Sequence, residues 1–366
     1  MNYKIFDIGG SYIKIYDSKT KEIIRIKNDE QPIIPLNFIK NIIINNITDT
    51  TDYIGLSSQM HGFILFDENY NKMTDFITWK KTTENNILNE PTFYNFCSTG
   101  LKKRNDLPIN NLYEFLNKNK LSKKRIFFKN ITEGILDESF NITHETMACG
   151  HGFYDITLKK YIDTYIDYFN KKFNIELRFD NVIQNKQISG FINYKTKKIP
   201  VYVGLGDLQS SIYSFNFKNN FLLINMATGS QIVSIVNSVD TNDKLSYRPF
   251  FNKYLKCITH IPSGRFLNIY AIFFENLNIN FWDYINCLTL NDLYESTLHI
   301  ETNIFCDEGI NISKIKNNFN IKNLISSILY HYVKQYINLI NCNNFDYDFI
   351  LLSGGIGKKI KLIKIM

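Results

Sequence analysis

The chain opens on strict alternation. Residues 3–8, Tyr-Lys-Ile-Phe-Asp-Ile, and 12–17, Tyr-Ile-Lys-Ile-Tyr-Asp, place apolar and polar side chains at every second position. A period of two predicts strands, and Gly9-Gly10-Ser11 between them predicts a tight turn. The charged turn Lys-Thr-Lys-Glu at 19–22 leads to Ile-Ile-Arg-Ile-Lys, a third strand. Residues 34–47 then repeat isoleucine and leucine at helical spacing, and 52–58, Asp-Tyr-Ile-Gly-Leu-Ser-Ser, read as a short buried strand. From Thr83 to about Asn170 the pattern is mostly helical, with 109–121 and 161–173 the clearest amphipathic stretches. A meander followed by βα units predicts a mixed sheet flanked by helices.

The second half repeats the opening. Residues 221–236, Phe-Leu-Leu-Ile-Asn-Met-Ala-Thr-Gly-Ser-Gln-Ile-Val-Ser-Ile-Val, give strand, small-residue turn and strand, and 349–357 add an apolar strand ending in Gly354-Gly355. Either turn alone is an ordinary glycine hairpin; three glycine loops at strand ends suggest a duplicated α/β fold with one phosphate loop per half. A length of 366 residues agrees with two domains, divided near Phe217 into 1–217 and 218–366.

An apolar fraction of 44% excludes general disorder. The basic excess, 42 Lys and Arg against 35 Asp and Glu, lies partly in short runs at 102–104 and 123–125. With no aromatic-studded motif beside them these runs read as solvated surface, not a nucleic-acid face, and the charge suits a small anion such as a nucleotide. The cysteines, at 97, 149, 257, 287, 306 and 342, form no CxxC pair and resemble reduced thiols of an intracellular protein. His144, Cys149 and His151 stand close in sequence, but without a second ligand cluster they do not make a zinc motif. No apolar run is long enough to span a membrane, and no signal peptide precedes the first strand, so a cytoplasmic location is expected.

The candidate chemistry starts at Val-Gly-Leu-Gly-Asp-Leu-Gln, 203–209, where an apolar run breaks at Gly-x-Gly and Asp207 stands at the mouth of a helix. Read alone, Asp207 is an N-cap; read with the glycine loops, it is a carboxylate at the carboxyl end of a strand, where ligands collect in α/β folds. Gly9 and Gly10 let backbone amides approach phosphate oxygens, and Ser11, Thr228 and Ser230 add hydroxyls. Asp7 beside a phosphate calls for a divalent cation between them, and Lys14 can neutralise a transferring phosphoryl group. Asp207 can accept the proton of an attacking hydroxyl.

The order FDIGGSYIK, GLSSQMHGFIL, GLGDLQSSIYS, NMATGSQI, LLSGGIG resembles the FGGY family of carbohydrate kinases, in the actin, hexokinase and Hsp70 superfamily. The likeness runs from Tyr3 to Gly357. It implies two ribonuclease-H-like domains with a cleft between them, and ATP- and Mg2+-dependent phosphorylation of a sugar hydroxyl. By the same resemblance Asp7, Gly9, Gly10, Ser11 and Lys14 match the first phosphate motif, with Asp7 near the magnesium, directly or through water. Thr228, Gly229 and Ser230 match the second, and Gly354 and Gly355 the adenosine motif. Asp207 matches the catalytic base, and Gln59, Met60, His61 and Trp79 the sugar-binding positions. Taken alone, His61 reads as a hydrogen-bonded, partly buried imidazole.

Within the family the segments GDLQSSIYS, YRPFFNKYL and FITWKK are most similar to sedoheptulokinase, which implies sedoheptulose as acceptor and the 7-phosphate as product. A xylulose or other pentulose kinase is the alternative within the class. Two departures support a different class, a truncated sugar- or nucleotide-binding protein without activity. Lys81 and Thr83 replace the aspartate and arginine that follow Trp79 in the family, and the chain stops at Met366, before the family's last helix, strand and closing helix, so the second domain reads as shortened. An actin-like nucleotide switch without a sugar fits less well, because Gln-Met-His-Gly and Gly-Asp-Leu-Gln are not features of that group. The expected partners are a ketose and ATP, with no nucleic acid and no membrane; monomer and homodimer are both left open.

Overall fold

The computed structural model describes residues 1–121, 124–215, 220–227, 229–240, 245–295, 298–302, 312–313 and 320–360. Backbone contacts divide the chain into two compact units, Met1–Asn216 with Asn237–Tyr254, and Phe217–Val236 with Leu255–Met366. The chain thus leaves the first unit after Asn216 and returns to it for 237–254 before completing the second.

The first unit is built on a mixed sheet. β1 (Tyr3–Ile8), β2 (Tyr12–Asp17) and β3 (Ile23–Lys27) form the antiparallel meander the alternation predicts. Phe6, Ile8, Ile13 and Ile15 point into the core, while Asp7 and Lys14 lie on the other face. α1 (Leu36–Asn46) turns Leu36, Ile39, Ile42 and Ile43 onto that core. Each such side chain contributes about 1.5–3 kcal/mol by burial. β4 (Tyr53–Ser58) pairs parallel with β1, and β5 (Ile188–Tyr194) and β6 (Lys197–Tyr202) extend the sheet as a hairpin beyond β4. The order is β3-β2-β1-β4-β6-β5, with the short strand Glu138–Ser139 beyond β5, and the two-residue β7 (Leu205–Gly206) also pairs parallel with β4.

Between β4 and β5 the expectation of a mostly helical stretch needs correction. Helices Pro108–Lys118 and Asp163–Phe173 form as the periodicity predicts. Around them the chain also makes short 3-10 turns and a second sheet, in which Arg125–Lys129 pairs with Ile64–Phe66 and with Glu176–Phe179. The core these elements share mixes Phe63, Phe93, Phe96, Phe128, Phe153 and Phe169 with many isoleucines and leucines, and a short apolar run such as Ile126-Phe127-Phe128 suits a buried strand as well as a helix turn.

The second unit repeats the design. β8 (Phe221–Met226) and β9 (Gly229–Val236) form an antiparallel hairpin, β10 (Lys253–Pro262) neighbours β9, and β11 (Phe349–Ser353) pairs parallel with β8. The order β10-β9-β8-β11 matches β3-β2-β1-β4 of the first unit. Helices α3 (Gly264–Glu275) and α4 (Ile321–Cys342) bury Phe266, Tyr270, Ile328 and Tyr332, among others. No described helix is long and apolar enough to cross a membrane.

Candidate active site

Three parallel strands of the first unit end level with one another. Asp7 and Ile8 of β1 face Ser57 and Ser58 of β4, and Leu205 and Gly206 of β7 face the same two serines from the other side. One residue further on, Gly9, Gln59 and Asp207 therefore leave the carboxyl edge of the sheet together. This is the edge at which α/β folds bind ligands.

The first loop is a braced turn. Asp7 and Lys14 stand opposite each other in the β1–β2 hairpin, and the Lys14 ammonium donates to Asp7 Oδ2 at 2.8 Å. The Gly9 amide is engaged inside the turn, with the carbonyls of Asp7 and Tyr12. In a phosphate-binding reading the free amides of this loop are then those of Gly10 and Ser11. Two residues with no signal in the sequence hold the loop's shape. The buried Asn28 donates through Nδ2 to the Gly9 carbonyl and through its amide to the Ser11 carbonyl, and Lys80 Nζ donates to the Gly10 carbonyl at 3.0 Å.

The Gln59-Met60-His61 loop is locked by packing. His61 takes a left-handed backbone, φ 61°, and a Cβ on Gly62 would fall 2.5 Å from the Phe76 ring, so only glycine completes the turn. His61 Nδ1 lies 2.9 Å from the Gly150 carbonyl, which can only accept. The proton is thus on Nδ1, and Nε2 faces the Arg248 guanidinium, which can only donate, so Nε2 accepts. Gln59 is 3% exposed, yet neither atom of its amide group finds a partner in the protein. Its Oε1 and the half-buried Trp79 ring both lie against Gly10. Buried amide groups are ordinarily paired, with protein or with ordered water, so Gln59 has bonding capacity left for a water or a ligand.

Asp207 is the first residue of the seven-residue helix α2 (Asp207–Tyr213), whose cap is Gly206. It caps nothing further along the helix: its Oδ1 accepts only from the adjacent Leu208 amide, at 2.7 Å. The glycine before it is needed for packing, since a Cβ on Gly206 would meet Gln209 Oε1 at 2.6 Å and Met60 Sδ at 3.1 Å. Solvent reaches Asp207, but the protein around it pushes its carboxyl up to about 6, against the pull of Arg248 and the Leu208 amide. Asp7 adds to the rise and Lys14 opposes it.

Sequence reasoning also missed Arg248. It sits on the strand Ser246–Phe250 of the first unit, 4% exposed, with Nη1 3.3 Å from Met60 Sδ and Nη2 3.4 Å from His61 Nε2. A charged residue followed by proline inside an apolar strand was the signal available. By contrast, Lys81 binds Glu114 at 3.2 Å and the Thr82 carbonyl, and the Thr83 hydroxyl donates to the Asn85 carbonyl. Their side chains are thereby tied to neighbours within the first unit.

In the second unit β8 and β11 are paired in parallel with Asn225 opposite Ser353; Gly354 follows β11 directly, and Gly229 opens β9. Gly354 begins the short helix α5 (Gly354–Lys359) with φ 89°, where a Cβ would strike the Met226 carbonyl at 2.2 Å. Gly229 and Gly355 have no atom within 4 Å of a Cβ position, so their backbone faces open space that a ligand can enter. Ser230 Oγ donates to the Asn225 carbonyl. Thr228 lies outside the described residues, as do Cys306 and the tail 361–366. The described residues contain no group of three or more His, Cys, Asp or Glu able to hold a metal. A cation at Asp7 would then draw most of its ligands from phosphate and water, which is how magnesium is commonly bound.

No protein-family model and no curated protein matches the sequence. Solved structures do. A ligand-bound xylulose kinase from Lactobacillus acidophilus superposes with a TM-score of 0.75 at 17% identity, covering 99% of this chain and 83% of its own. For a xylulose kinase from Rhodospirillum rubrum the TM-score is 0.77 at 10% identity, with 100% and 83% covered. For Plasmodium falciparum glycerol kinase with ADP it is 0.71 at 12%, with 99% and 83% covered. The chain therefore has the α/β fold of these solved carbohydrate kinases.

Proposed function

We propose that this protein is an ATP-dependent carbohydrate kinase that phosphorylates a terminal hydroxyl of a ketose, with Asp207 as general base. The observation that carries the reading is the common edge: a phosphate-type glycine turn, a buried unpaired glutamine and a solvent-reached carboxylate leave three neighbouring strands in one register. In this reading Gln59, Met60, His61 and Trp79 orient the acceptor. Asp207 takes the hydroxyl proton as that oxygen bonds to the γ-phosphorus, and the bond from γ-phosphorus to the bridging oxygen breaks to release ADP. Lys14 and the loops at Gly10-Ser11, Thr228-Gly229-Ser230 and Gly354-Gly355 hold the nucleotide. Asp7 would hold magnesium, which spreads the phosphate charge when bound.

Sedoheptulose is the preferred acceptor, on the resemblance of the GDLQSSIYS, YRPFFNKYL and FITWKK segments. The pentulose reading is supported by the xylulose kinases among the structural neighbours. The test is ATP consumption by the full chain with magnesium on sedoheptulose, xylulose, ribulose and an aldose control. Turnover on a ketose and not on the aldose is expected; none on any ketose, from a folded chain, overturns the reading in favour of a binding protein without activity.

A base must be ionised to accept a proton, so kcat/KM on that ketose, which reports the free enzyme, should rise with pH and reach half its plateau near the Asp207 value of about 6. An ordinary aspartate would place that midpoint about two units lower. A flat profile between pH 5 and 7 would remove Asp207 from this role.

A further inference from the structure

Arg248 is a cation with little to bind. Its guanidinium is buried; its neighbours at Nη1 and Nη2 are a thioether sulfur and an imidazole nitrogen, and its Nε has no partner. No carboxylate forms an ion pair with it among the described residues. Arginine presents five donors and no acceptor, and burying one without oxygen partners is costly. The two contacts nevertheless fix where the group stands. Met60 Sδ also lies 3.1 Å from the Cβ position of Gly206, the residue before Asp207, so Arg248 is one side chain removed from the base. Gln59, next to Met60, likewise keeps a buried amide without partners.

We propose that Arg248 is an acceptor-binding residue: it donates to an oxygen of the sugar beside the reacting hydroxyl, and Gln59 completes the same oxygen-binding pocket. This rests on the kinase reading and deepens it. The geometry suits a hydroxyl-bearing ligand, because Arg248 Nε and Gln59 Nε2 are donors without protein partners and Gln59 Oε1 is an acceptor without one, and sugar hydroxyls supply both roles. His61 then acts on Arg248: with Nδ1–H held by the Gly150 carbonyl, its ring presents Nε2 to the guanidinium and steadies it while leaving its other donors for substrate.

The test compares wild type, Arg248→Met and Arg248→Lys, each as the full chain, by steady-state kinetics on the best ketose and by calorimetric titration of that ketose without ATP. A lost hydrogen bond to a charged donor should raise KM and Kd for the ketose by about 10- to 100-fold. The KM for ATP should stay within about twofold, and Arg248→Lys should recover part of the loss, since lysine keeps charge but not the planar fork. A purely structural arginine would instead lower the melting temperature and disturb ketose and ATP alike, or leave the ketose KM unchanged; either result overturns the proposal. If Arg248→Met does not fold, Arg248→Lys carries the same comparison. If the wild type turns over no ketose, the kinase reading fails separately. Titration of sedoheptulose, xylulose and ribulose then decides, and Arg248 keeps its role only where the wild type binds one of them and the variants bind it more weakly.

Discussion

Asp207→Asn is expected to abolish phosphoryl transfer while leaving the ketose bound. Loss of a positioned general base typically costs about 10²- to 10⁴-fold in rate. The amide is the same size as the carboxylate and can still accept from the Leu208 amide, so Gly206 and Gln209 need not move. Calorimetric Kd for the ketose should change little, and kcat should fall by at least two orders of magnitude. The stability sign is also defined. With its folded value raised to about 6 from 3.8, this carboxyl favours the fold most when protonated, and that contribution is lost as pH rises through 6. At pH 7 the asparagine variant should therefore melt no lower than wild type. A parallel loss of sugar binding and rate would mean that Asp207 holds the acceptor and does not take its proton.

The largest stability effect should come from Asp180→Ala, some distance along the chain from any predicted site residue. Lys129 Nζ and Asp180 Oδ1 lie 2.7 Å apart with side chains only 3% and 4% exposed. Truncating the acid leaves Lys129 with the Asn141 side chain as its remaining oxygen partner, and an uncompensated buried charge costs about 3–5 kcal/mol. Chemical denaturation should show that loss. The double change Lys129→Met with Asp180→Leu should restore much of it, because apolar replacements of a buried pair are often neutral. Equal losses in the single and double variants would show that the pair's shape, and not its charge, matters.

This pair belongs to a buried polar network that reaches the site loop. Glu133, 1% exposed, is pushed up to about 8 by burial and by Asp180, and the Thr132 hydroxyl contacts both its oxygens. Asn130 Oδ1 lies 2.6 Å from Nε2 of His151, which burial pushes down to about 3 and so keeps neutral. His151 follows Gly150, whose carbonyl sets the tautomer of His61. A weakened network should therefore be felt in sugar affinity as well as in stability.

Local chemistry made much of this legible before any coordinates. The alternation of residues 3–17 predicted the hairpin, and in a hairpin with that turn Asp7 and Lys14 must face each other. The isoleucine spacing predicted α1, and the Gly-x-Gly break put Asp207 at the start of a helix. The repeat of strand, small turn and strand foretold that the two units share a sheet order. What the chain could not show along its length was register between strands more than 40 residues apart, and that register brings Gly9, Gln59 and Asp207 to one edge. Nor could it show Arg248, which 237–254 carries back into the first unit, or the stretch between the helices Pro108–Lys118 and Asp163–Phe173, where short apolar runs pair as strands with distant partners. Strand and helix signals are properties of neighbouring residues. Burial of a charge and the partner it lacks depend on the whole fold, because only tertiary packing removes the water that would otherwise satisfy it.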